Sequence, residues 1–195
     1  MSTAILPPVP PAPAAPVATA SGRPERRVAE TGVWIGIATI SMSFAALTSA
    51  LVVRQASAPG SDWQHFQLPS LLYVNTLVLL LSSVTLESSR RREAVATLDV
   101  TLALGLLFLV GQAFAWRQLA AQNLHLATGP SSAFFYVLTV LHAMHVLGGL
   151  VGLGYVERRL AAGVLSRTTF RAAALYWHFM AVLWLYLLAL LTLRG

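Results

Sequence analysis

The sequence predicts an all-α integral membrane protein, a bundle of five transmembrane helices with the N-terminus in the cytoplasm and the C-terminus outside. Three observations predict it. Of 195 residues, 56 % are hydrophobic and only 10 % charged, with a mean hydropathy of +0.69, far from the balance of a soluble globular domain. Apolar stretches fall at residues 32–53, 68–86, 94–116, 133–156 and 170–193. Each reaches the roughly 20 residues that cross about 30 Å of hydrocarbon in a helix. Every one of the 13 basic residues is arginine. Arg23, Arg26, Arg27, Arg90, Arg91, Arg92, Arg158, Arg159, Arg167 and Arg171 fall on one side of the bundle, and only Arg54, Arg117 and Arg194 on the other. That bias sets the orientation.

The same composition excludes several functions. With no cysteine there are no disulfides, thiolate metal sites or cysteine nucleophiles, so any metal or haem would need His, Met or carboxylate ligands. A pI near 10.8, built from arginines gathered between spans, reports membrane topology and anionic lipid; nucleic acid is not a predicted partner.

Residues 1–24 are rich in Pro and Ala, without a basic n-region or an uninterrupted apolar core, which predicts a disordered tail ahead of one transmembrane domain at 25–195. Pro69 opens the second span, and Glu87 near its end and Asp99 in the third lie close enough to a boundary to reach the interface. Gly129, Pro130, Ser131 and Ser132 precede the fourth span, where Pro suits the first turn and Ser suits a cap. Loops of at most about 16 residues leave no room for a soluble catalytic domain, so any chemistry belongs among the helices. No repeat or broken helix suggests a secondary transporter.

The polar residues inside the spans are the candidate functional residues, because polar side chains in hydrocarbon need a partner or a task. His142 and His145 share a face of span four with Gly149 and Gly152, and Gly148 with Gly152 forms a small-xxx-small pair expected to be a helix contact. His178 stands in span five beside Tyr176 and Trp177, and Asn75 in span two. His142, His145, His178, Asn75 and Tyr176 are therefore expected as interior polar groups. By rise per residue, His145 and His178 lie about 16 Å and about 12 Å from the cytoplasmic end. Two such imidazoles also fit a small bis-His haem electron carrier, the competing reading. Glu87, Asp99 and Glu157 lie toward arginine clusters, where ion pairing accounts for them, and no chain of ionisable groups crosses the midplane. Arg158 and Arg159, at the inner end of span four, form an expected anionic headgroup site, with His145 and Trp177 assigned to the same lipid-binding set. No catalytic or metal-binding residue is assigned.

Span five carries Tyr176, Trp177, His178 and Phe179, span four FFYVLTVLHAMHVLGGL, span two an LP at 68–69 with NTLVLLLSSVT at 75–85, and span three LGLLFLVGQ at 104–112 with Trp116. These four spans, in order, resemble subunit III of the haem-copper respiratory oxidases, the cytochrome c and quinol oxidase family, in its five-span bacterial form, the YWHF of span five being similar to that family's signature. The resemblance implies an accessory subunit without redox centres in a bacterial inner membrane. It would pack against the haem- and copper-bearing subunit I and subunit II, bind phospholipid, and support oxygen reduction and proton uptake indirectly. Arg159 falls where the family places a basic residue that contacts phospholipid. A subunit III-like accessory protein of nitric oxide reductase shares this architecture. Where the family usually carries Glu, Glu and Asp, this chain has Ile40, Ala115 and Ala181, and Arg171 replaces an acidic residue. These changes remove groups that a proton antenna would use and leave the scaffold role less affected.

Overall fold

The computed structural model describes residues 22–57, 69–92, 95–122 and 129–194, with side chains described for all of these except 22–29, 90–92 and 194. Most of the expected N-terminal tail, and the side chains of Arg23, Arg26, Arg27, Arg90, Arg91, Arg92 and Arg194, lie outside what is described. Five helices follow one another: α1 Gly22–Ala56, α2 Leu71–Arg92, α3 Val95–Ala121, α4 Pro130–Ala161 and α5 Arg167–Arg194. All five are long and apolar enough to cross a membrane, and the protein is a multi-pass membrane protein. Each runs past the apolar stretch that predicts it on at least one side. Helical hydrogen bonding costs nothing extra in the interfacial region, so a span need not stop where its hydropathy does.

Local chemistry sets the helix ends. The backbone N–H of Leu72 bonds the Pro69 carbonyl at 3.0 Å, so the proline closes a turn just ahead of α2. Pro130 occupies the first turn of α4 behind an extended Gly129. The expected serine cap does not form: Ser132 Oγ donates back to the Gly129 carbonyl at 2.9 Å, because the residue at the cap position is a glycine with no side chain to accept. At the other end of α4, Gly163 adopts a φ of +68°. There Val164 N–H reaches the Arg159 carbonyl and Gly163 N–H the Leu160 carbonyl, both at 3.0 Å, a left-handed closure that a Cβ would strain.

Helices α2, α3, α4 and α5 form a closed ring in which each touches the next and α5 returns to α2, while α1 lies outside against α4 and α5 and touches neither α2 nor α3. Apolar residues line both surfaces. Trp177, Trp184, Phe44, Phe108 and Phe135 are fully buried, whereas Val74, Leu77, Leu81 and Val84 on α2 and Met144, Leu147 and Val151 on α4 face outward. That outer apolar surface is what hydrocarbon solvates. The polar residues are turned inward: Asn75, Thr76, Ser82, Thr101, Gln112, Thr139 and His142 are all buried.

Candidate functional site

With hydrocarbon outside, the interior of the ring is where side-chain polarity can be used, and three indoles organise it. Trp177 Nε1 donates to Ser82 Oγ at 3.1 Å, Trp184 Nε1 to Thr76 Oγ1 at 2.9 Å, and Trp116 Nε1 to Thr139 Oγ1 at 3.0 Å. Each hydroxyl passes its own hydrogen to a backbone carbonyl: Ser82 to Thr101 at 3.1 Å, Thr76 to Leu72 at 2.7 Å and Thr139 to Phe135 at 2.7 Å. Ser and Thr are the small residues that can both receive an indole N–H and satisfy their own hydrogen within a helix.

These bonds fix the register. Moving from Thr76 to Ser82 along α2 moves the partner from Trp184 back to Trp177, so α2 and α5 run antiparallel. Against α3, Asn75 Nδ2 donates to the Phe108 carbonyl at 2.9 Å while Ser82 pairs with Thr101, again antiparallel. Thr85 Oγ1 lies 2.9 Å from Thr101 Oγ1 and continues the α2–α3 seam.

Close approach between the helices depends on glycines, with Gly111 set against the Asn75 amide and two more near the centre. A Cβ on Gly105 would lie 2.6 Å from Leu150 Cδ2 and 2.8 Å from the Trp177 ring, and one on Gly149 would lie 3.1 Å from both Tyr176 and Trp177. The expected Gly148 and Gly152 contact does not occur within the chain, since a Cβ at either position meets nothing within 4 Å. Helix phase explains the correction: Gly149 is the small residue on the face turned to α5, and Gly148 and Gly152 are exposed.

The sequence-predicted residues divide accordingly. Asn75 and His142 are deep in the interior. His142 stacks on Trp184 with ring centroids 5.1 Å apart and meets the edge of Phe108 at 6.0 Å. His145, half-buried, donates from Nδ1 to the Leu141 carbonyl of its own helix at 2.7 Å and meets Phe44 of α1 edge-on at 5.9 Å. Tyr176 OH donates to the His145 carbonyl at 3.0 Å. The α5 side chain that meets α4 at this level is therefore the tyrosine, and His178, half-buried, projects about 200° around the helix from it. No group of three or more His, Asp or Glu side chains gathers among the described residues.

The expected lipid-binding set is not brought together. Arg158 and Arg159 are exposed at the end of α4, where Arg159 Nε donates to Tyr155 OH at 2.9 Å and the guanidinium stands 5.2 Å from that ring's centroid. His145 lies about 21 Å back along the helix, and Trp177 is fully enclosed by the bundle, engaged with Ser82. Sequence reasoning missed Thr76, Ser82, Thr101, Thr139, Gln112 and Trp184 as interior polar groups. Their signal was present as hydroxyl, amide or indole residues interrupting apolar runs at helical spacing.

Comparison with known proteins places this architecture. Residues 37–194 match the family described as cytochrome c oxidase subunit III. The chain belongs to the cytochrome c oxidase subunit III family. It is similar to the cytochrome c oxidase subunit 3 of Synechocystis, at 32 % identity over 88 % of this chain and 77 % of that protein. Similarity extends to that of Corynebacterium diphtheriae, at 29 % over 74 % and 77 %, and to the probable subunit 3 of Rickettsia conorii, at 30 % over 76 % and 56 %. The chain spans about half the length of several curated relatives that it matches. Of the positions where it departs from the resembling pattern, Ala115 and Ala181 are buried and Ile40 packs against the core. In this subunit III chain those sites hold apolar packing.

Proposed function

We propose that this chain is an accessory subunit III of a haem-copper oxidase. It carries no redox centre of its own, packs against the haem- and copper-bearing subunit I and subunit II, and supports oxygen reduction and proton uptake indirectly. The observation that carries this reading is the family match across all five helices. The interior agrees with it, being filled by the chain's own indole, hydroxyl and aromatic contacts. The relatives' names favour an oxidase over a nitric oxide reductase accessory protein or a bis-His electron carrier. The arginine bias supports an N-terminus on the cytoplasmic side, and a bacterial inner membrane is part of the same reading.

Phospholipid binding belongs to the exposed Arg158 and Arg159. Tyr155 engages Arg159 through Nε and its ring, which orients the terminal guanidinium edge toward a phosphate at the membrane surface. Purification of the tagged chain from native membranes in mild detergent tests the assignment. The expected result is a stoichiometric haem-bearing partner whose visible spectrum carries all the haem absorption. Recovery of the chain alone, or haem bands from the isolated chain, would overturn it.

A further inference from the structure

The only described side chains with two buried polar atoms and no hydrogen-bond partner for either are Gln112 and His142. Both are essentially inaccessible, Gln112 at 1 % and His142 at 0 % exposure. They lie on helices that pack against each other, α3 and α4. Phe108, Gln112 and Trp116 lie four residues apart on one face of α3. Phe108 meets the His142 ring, and Trp116 bonds Thr139, one turn before His142 on antiparallel α4. Gln112 is bracketed between these contacts, which sets it within about one turn of His142 along the α3–α4 seam. Stacking on Trp184 uses the face of the imidazole and leaves both ring nitrogens at its edge.

Four orphaned polar atoms within about one turn of one another in an apolar bundle are costly, since each unmet donor or acceptor forfeits its full solvation and lipid offers no substitute. Water is the ligand whose chemistry fits. It donates to the amide oxygen and the unprotonated ring nitrogen, accepts from the amide N–H and the protonated ring nitrogen, and fills sites where two to four polar groups converge. We propose that Gln112 and His142 form an internal hydration site between α3 and α4, in which bound water bridges the amide to the imidazole. The neighbouring layer is self-satisfied: Thr139 is engaged on both sides and Asn75 reaches the Phe108 carbonyl. The bridge is thus confined to the one pair left without partners.

Water-edited solid-state NMR on the intact complex in lipid nanodiscs, with ¹⁵N-labelled histidine, tests the site, the His142 signal being identified by its loss in His142→Phe. Magnetisation transfer from water to the His142 ring nitrogens is expected, and its loss in Gln112→Leu. Absence of transfer in the native complex, or transfer unchanged in Gln112→Leu, overturns the proposal. Should either variant fail to assemble, a cryo-EM map of the native complex at water-resolving resolution decides. Density about 2.7–3.2 Å from both side chains supports the bridge, and a direct amide-to-imidazole contact or empty map refutes it.

Discussion

Trp177 in α5 and Ser82 in α2 stand 95 residues apart in sequence and are joined in the interior by an indole-to-hydroxyl bond of 3.1 Å. That bond lies where α5 closes the ring onto α2, and the Ser82 hydroxyl extends it to the Thr101 carbonyl of α3. Three helices meet through one serine. Trp177→Phe should therefore lower stability by about 1–3 kcal/mol, through the lost bond and the smaller ring. Ser82→Ala should cost a similar amount by leaving the indole N–H unmet, and the double variant less than the sum. Thermal unfolding of the purified complex, followed by subunit III release, measures all three.

Gly105→Ala drives a methyl group into Leu150 and Trp177, at separations of 2.6 Å and 2.8 Å. Overpacking of this kind costs about 1–3 kcal/mol. Gly154→Ala meets nothing within 4 Å and should stay within about 0.5 kcal/mol of the parent. Steady-state levels of the two variants in membranes should differ in that order, and equal levels would show that the centre yields more readily than its contacts suggest.

His178→Leu removes a half-buried imidazole from α5 and should weaken packing or partner assembly by about 1–3 kcal/mol, without altering the partner's haem spectrum. The measurement is the yield of assembled complex beside its visible spectrum. A displaced haem band would place this histidine in the redox chemistry and contradict the structural role.

Arg159→Ala should reduce the anionic phospholipid retained through purification, read by native mass spectrometry. Tyr155→Phe should produce a smaller reduction, because it keeps the charge and the aromatic face and removes only the hydroxyl that holds Nε. Retention unchanged in both variants would remove α4's inner end from lipid binding.

The number and order of helices were legible in the sequence because hydrocarbon thickness imposes a length on every span. Which residues lie inside was only partly legible. Hydrophobic periodicity, the usual guide to a buried face, is weak when both faces are apolar. Asn75 and His142 announced themselves by polarity, yet Gly148 and Gly149 look alike in sequence and differ wholly in role. Only the rotational phase of α4, set by Tyr176, Trp177 and the indole bonds, separates them. The same phase turns Trp177 inward, where its partner is Ser82, a serine in a helix that no local pattern could nominate.

The arrangement of α1 has a mechanical consequence. Its described contacts with the rest include Phe44 against His145 and the apolar side chains of Ile37, Ile40, Leu47 and Leu51, while the Trp116, Trp177 and Trp184 bonds tie the other four helices to one another. A pull on the N-terminal end is expected to free that outer helix into the bilayer before it disturbs the indole-bonded quartet.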